Sequence, residues 1–226
     1  MMKVRHGAVL LVGLIAIAGL IALGTWQVHR RAWKLDLIAQ VETRLKAVPV
    51  PAPAIAGKAD EYRRVAATGR YLTGRDALVQ ASTVKGPGWW VMTPLVTGPT
   101  IGRGVVLVNR GYVATRHAPT PPQGEVTVTG LIRPTEPGGG FLRYNDPAGD
   151  RWYSRDVAAI ARRDRVAVRP YFIDADAGPA TTAPVGGLTF VRFTNNHLVY
   201  ALTWFALAVM VAGAAAMLLR PARRPA

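Results

Sequence analysis

The chain has no cysteine and only 5 methionines among its 226 residues. The first absence excludes disulfides, thiol redox chemistry, Cys-based zinc sites and Cys-ligated copper. The second, with no clustering of Met, leaves no thioether site for copper(I). Acids are scarce too, 13 Asp and Glu against 28 Lys and Arg, for a formal net charge of +15. His6, His29, His117 and His197 are scattered, and no two stand at the i, i+4 spacing that puts a pair of ligands on one helix face. No Gly-x-Ser-x-Gly elbow and no phosphate-binding Gly loop followed by Lys is present. Asp174-Ala175-Asp176 offers too few carboxylates for a dedicated cation site and reads as a turn at a strand end. Asp146 and Asp150 fall in Asn145-Asp146-Pro147-Ala148-Gly149-Asp150, where turn geometry accounts for both. Together these absences argue against an enzyme.

What the chain does have is two long apolar runs without a charge. Leu198 to Leu219, at about 1.5 Å per residue, covers the thickness of a hydrocarbon core. Gly7 to Gly24 does nearly the same, with Lys3 and Arg5 before it and Trp26 after. A cleaved signal peptide would share the basic start, but this run exceeds a usual h-region and no Ala-x-Ala-like site follows. Both runs are therefore expected to span a membrane. Lys3 and Arg5 at one end and Arg220, Arg223 and Arg224 at the other come without acids, so the positive-inside rule puts both termini in the cytoplasm. The long segment between carries all 13 acids and 23 of the 28 cations, a net +10, and is exempt from that rule because it is translocated whole. Its basic surface lies on the wrong side of a membrane for nucleic acid. Anionic headgroups, acidic protein partners or the carboxylates of a ligand are the expected counterparts, beside the plain alternative of a solvated charged surface.

Residues 25–47 continue the first span as a helix, with Val28, Leu35, Ile38, Val41 and Leu45 forming an apolar stripe. Trp26, Arg30, Trp33 and Leu37 follow each other on a different face, either as interface anchors or with Arg30 or Arg31 meeting the acid groups of a ligand. Pro49, Pro51 and Pro53 predict a stiff extended linker, and the folded domain is expected to start near Glu61. Runs rich in Val, Thr and aromatics then predict strands over 64–71, 77–82, 90–96, 105–112, 125–132, 168–174 and 188–193. One helix is predicted over 154–163, with Ser154 as N-cap and Arg162 and Arg163 in the last turn. Pro119 to Pro122 and Pro137 to Gly140 read as connectors.

The expected fold is an α+β membrane protein, two transmembrane helices flanking one mainly-β extracytoplasmic domain with a short helix. Its segments are a tail (1–6), the first span (7–26), a juxtamembrane helix and Pro-rich linker (27–60), the β domain (61–194), the second span (195–219) and a second tail (220–226).

His197 stands at the lip of the second span, after Asn195 and Asn196, either of which would cap the helix. In the first turn, free N–H groups and the positive dipole end favour the neutral imidazole, the form that binds metal. At about 100° per residue, Tyr200, Ala201, Trp204, Ala208 and Ala215 lie near the His197 meridian. Trp204 sits about 10 Å below His197 by helix rise, deeper than an interface girdle needs. A flat macrocycle such as haem, bound axially by His197 and stacked near Trp204, would meet these features. So would a plain packing role, with Trp204 and the alanines against Ala8, Gly13, Ala16 and Gly19 and His197 bonded to a headgroup.

The runs Gly24-Thr25-Trp26-Gln27-Val28-His29-Arg30-Arg31-Ala32-Trp33-Lys34, Val108-Asn109-Arg110-Gly111-Tyr112, Trp152-Tyr153-Ser154-Arg155-Asp156, and Gly186-Gly187 leading to Asn196-His197-Leu198 with Tyr200, Thr203 and Trp204, resemble the surfeit locus protein 1 family of cytochrome c oxidase assembly factors. The resemblance covers nearly the whole chain. It implies a non-enzymatic factor that helps seat haem a in the catalytic subunit of a haem–copper oxidase, with the haem a synthase and membrane lipid as further partners. The family's histidine and tryptophan of the second span carry over to His197, as axial iron ligand, and Trp204. Tyr200 matches the pattern as well, without a role assigned to it, and Arg30 or Arg31 is expected to meet the propionates at the outer surface. A mitochondrial targeting region is missing, which points to a bacterial plasma membrane with the main domain periplasmic. Rival readings are a cofactor-free membrane chaperone, a periplasmic sensor, for which the residues after Leu219 leave no output module, and a haem-modifying enzyme, for which catalytic groups are lacking.

Overall fold

The structure, a computed structural model, describes residues 2–98, 104–140, 142–179, 183–189 and 193–219. It divides into two compact units, Met1–Gln40 with Arg192–Ala226, and Val41–Val191.

The first unit holds the two apolar helices. Helix α1 runs over Met2–Lys46, with an 18-residue stretch of mean hydropathy 2.6, and both it and the C-terminal His197–Leu219 helix are long and apolar enough to cross a membrane. Positions half or fully buried on α1 fall at Leu10, Gly13, Ile17, Leu20, Gly24, Gln27, Arg31, Lys34, Ile38, Val41, Arg44 and Leu45, and all but Arg44 follow a three-four alternation that keeps one seam along the helix. Of the stripe expected at Val28, Leu35, Ile38, Val41 and Leu45, the last three are half or fully buried, while Val28 and Leu35 are exposed. Within the span, Leu11, Leu14 and Ile15 face outward while Gly13 and Gly24 lie on the seam, because in an apolar solvent Leu and Ile lose nothing by facing outward.

The second unit is a small closed barrel. Strand β1 covers Val50–Pro51, β2 Arg64–Tyr71, β3 Ala77–Thr83, β4 Gly86–Thr97, β5 Gly104–Val113, β6 Val126–Pro134 and β9 Val168–Ala175, with a separate two-stranded hairpin of β7 (Gly139–Gly140) and β8 (Arg143–Tyr144). The sheet order is β1-β2-β6-β9-β5-β4-β3, and a further β2–β4 pairing closes β2, β6, β9, β5 and β4 on themselves. Among the named strands of the described residues, β1–β2 and β5–β9 are the parallel pairs. Closure brings β2 onto β4 so tightly at Gly69 that a Cβ there would sit 2.0 Å from the Val96 carbonyl oxygen, so only glycine fits. Alternating inward residues fill the lumen, among them Val65, Ala67, Leu95, Val106, Val108, Ile132, Tyr171 and Ile173. A second cluster lies outside the barrel wall, where α2 (Val157–Asp164) presses Val157, Ala159 and Ile160, together with Trp152, onto Val79, Met92, Leu107 and Phe172.

Four expectations are corrected. The Pro-rich stretch is not a free linker: β1 pairs with β2, and Ala52 and Ala56 are in the barrel core, because Pro at a sheet edge needs no donor. Pro137 to Gly140, expected as a plain connector, carries β7. The cap of α2 is Asp156, whose carboxylate accepts the Ala159 N–H, while Ser154 is held upstream by the Asn145 amide. The strand expected over 188–193 does not form at Leu188, Thr189 or Phe193, and its remaining residues lie outside those described.

Candidate functional site

Helix α3 (His197–Leu219) begins at His197, one residue after Asn196, whose carbonyl takes the Tyr200 N–H at 3.2 Å. Its packed face carries His197, Ala201, Trp204, Ala208, Val211 and Ala215, with Ala201 only 1% exposed. Where it meets α1, the Phe205 ring lies over Gly24, within 2.5 Å of where a Cβ would be. Of the small residues expected on this face of the first span, Gly13 is half-buried but Ala8, Ala16 and Gly19 are exposed. The close approach is made at Gly24, because that is where a ring needs the missing side chain.

One turn beyond Gly24, Gln27 reaches His197. The Gln27 Oε1 and His197 Nδ1 atoms are 2.7 Å apart, and Gln27 is 9% exposed. In this orientation of the amide, Oε1 only accepts, so Nδ1 carries the proton and donates it. Nε2 then keeps its lone pair, and it makes no hydrogen bond among the described residues. Deeper on the same face, the Trp204 Nε1–H is buried without an acceptor. Leaving such a donor dry costs about 1–3 kcal/mol.

The other expected site residues are placed differently. Tyr200 is 54% exposed, on the flank of the face. Arg30 is exposed, its guanidinium 4.0 Å from the centroid of the Trp33 ring, and neither it nor Arg31 has a carboxylate partner among the described residues. Thus the structure brings His197 and Trp204 onto one face and leaves Tyr200 and Arg30 beside it. Gln27 and Gly24 were missed as participants, although both stand in the Gly-Thr-Trp-Gln run. The available signal was their shared seam with Leu20, Ile17 and Gly13, at alternating three- and four-residue spacing.

In the β unit, the motif residues hold the fold. Asn109 donates to the buried Asp174 at 2.8 Å, as do Arg155 at 3.1 Å and Thr189 at 2.8 Å, and Arg155 also pairs with Glu136. Burial works against the Arg155 charge, but the Asp174 and Glu136 carboxylates outweigh it and hold its pKa above the ordinary value. Arg110 donates to the Pro119 and Thr120 carbonyls, and burial lowers its pKa. The Tyr112 hydroxyl donates to the Pro87 carbonyl at 2.9 Å. Asp176 pairs with Arg64 at the end of β9. No group of three or more His, Asp or Glu side chains is arranged to hold a metal ion among the described residues.

The family model described as "SURF1 family" matches residues 14–209. The chain is similar to Surfeit locus protein 1 of Rattus norvegicus, 37% identical over 210 residues that cover 82% of this chain and 67% of the relative. The Homo sapiens protein of that name is 37% identical over 213 residues, covering 82% and 69%. That of Takifugu rubripes is 32% identical over 211 residues, covering 82% and 86%.

Proposed function

The chain belongs to the SURF1 family, a family of cytochrome oxidase assembly factors, and from that premise we propose that it binds haem a at His197 and aids its insertion into the catalytic subunit of a haem–copper oxidase. The observation that carries this reading is the state of His197: one ring nitrogen is committed to Gln27 and the other keeps its lone pair at the head of an apolar helix. The chemistry of the donor set fits the group. A bare zinc or copper ion needs three or four protein ligands, whereas a haem brings four nitrogens of its own and asks the protein for an axial one. When bound, haem a supplies a Lewis-acidic iron in a flat apolar ring. His197 would hold the iron, Trp204 would line the ring's side of the helix, and exposed Arg30 and Tyr200 would meet its polar edge. A single axial ligand from the protein suits a carrier that must also release its cargo.

No catalytic role is proposed for any residue. The proposed setting is a bacterial inner membrane, with both termini cytoplasmic and the β unit periplasmic, an orientation supported by the acid-free basic tails. The barrel's part would be recognition of the oxidase subunit, with the haem a synthase as a second contact. The test is to purify the protein from cells making haem a and to record visible spectra of wild type beside His197→Ala. Haem a absorption in the wild type and its loss in the variant are expected. If both bind equally, or neither binds, the reading fails. If the variant also leaves oxidase haem content intact, a cofactor-free chaperone replaces it.

A further inference from the structure

Gln27 is an uncharged polar side chain, 9% exposed, on a seam that runs Leu20, Gly24, Gln27 and Arg31. Burying an amide costs free energy unless a partner offsets it. The partner here is the one imidazole of the second helix, 170 residues away in sequence. A neutral histidine without an acceptor at Nδ1 prefers its proton on Nε2, which would turn the lone pair away from the accessible nitrogen. Gln27 Oε1 reverses that preference. We propose that Gln27 is a positioning residue that fixes the Nδ1–H tautomer and ring plane of His197, so that Nε2 is presented as the donor atom and is made more basic by the hydrogen bond behind it.

This rests on the haem reading for the identity of the metal, but not for the tautomer. Ligating histidines generally donate their second ring N–H to an oxygen acceptor, and removing that acceptor costs about 10–100-fold in metal affinity. The two helices divide the work: α3 supplies the ligand atom and α1 sets its orientation. The Gly24 contact with Phe205 one turn away holds α1 close enough for the amide to reach. A donor built across two helices exists only while they are paired, so separating them would also weaken the site.

The experiment uses full-length protein in detergent micelles, labelled with 15N-histidine, the His197 signals being identified by comparison with His197→Ala. Wild type should show the Nδ1–H tautomer, Gln27→Leu should move toward Nε2–H, and Gln27→Glu, which keeps an acceptor in place, should retain Nδ1–H. A wild-type Nε2–H tautomer, or one unchanged in Gln27→Leu, overturns the proposal. Ferrous haem a is then added to each variant and the iron–histidine stretch is read by resonance Raman. Its frequency should rise from Leu through Gln to Glu, with affinity about 10–100-fold lower in Gln27→Leu. Equal frequencies in all three overturn the tuning role. Should wild type bind no haem at His197, the proposed function falls, and the tautomer measurement alone decides what Gln27 does.

Discussion

The Phe205 ring occupies the space in which a side chain at Gly24 would begin, so the two apolar helices meet closely at that glycine. Gly24→Ala should displace the ring, and Gly24→Val should part the helices, at a cost of about 1–3 kcal/mol for overpacking. Thermal melting in micelles measures the loss, and 15N spectra of His197 report whether the Gln27 bond survives. A Val variant with unchanged melting and unchanged histidine signals would show that the contact does not set the spacing.

Asp174 is 4% exposed and accepts from Asn109, Arg155 and Thr189 at once. Asp174→Ala removes the carboxylate and leaves the Arg155 guanidinium buried with Glu136 as its remaining acid. Breaking a buried pair in this way costs about 3–5 kcal/mol. Denaturant titration followed by tryptophan fluorescence should show that loss, and a shift under 1 kcal/mol would mean that Glu136 alone suffices.

Capping separates two neighbouring residues of one motif. Asp156→Ala should cost about 1 kcal/mol through the lost bond to the Ala159 N–H. Asp156→Asn, which keeps the acceptor oxygen, should recover most of it. Recovery that fails to appear in melting curves would assign the loss to the second Asp156 contact, with the Gly138 N–H.

Burial pushes the Tyr71 phenol up to about 12, against the opposing pull of Arg110. The folded value lies above the unfolded value of about 10, so the folded state holds this proton more tightly. Its contribution is complete below pH 10 and is lost as pH rises toward 12, by at most about 2–3 kcal/mol. Unfolding free energies of wild type and Tyr71→Phe measured from pH 9 to 12 should diverge over that window, the variant falling less. Parallel curves would show that the phenol stays hydrated.

Six strands were legible because each carries short alternating or β-branched runs between Gly and Pro: β2 keeps its expected bounds, β6 shifts from 125–132 to Val126–Pro134, and the other four are lengthened by one to five residues. Strand β1 was not, since Val50–Pro51 has no pattern of its own and pairs only because β2 offers an edge. The α2 cap was misplaced by two residues because Ser and Asp are both good caps, and Asn145, from a distant turn, takes the serine. Barrel closure through β2 and β4 left no local trace beyond Gly69.

At the candidate site, composition and order alone determined two apolar spans, a β-rich segment between them and one imidazole at the head of the second span. Those follow from local chemistry: run length, charge and periodicity. The pairing of His197 with Gln27 was decided only by tertiary structure. A helix that is apolar all round has no sided pattern to reveal which face will meet its neighbour, so shape chooses, here a ring over a glycine. That choice, made 181 residues apart between Gly24 and Phe205, is what brings the amide of Gln27 to the imidazole.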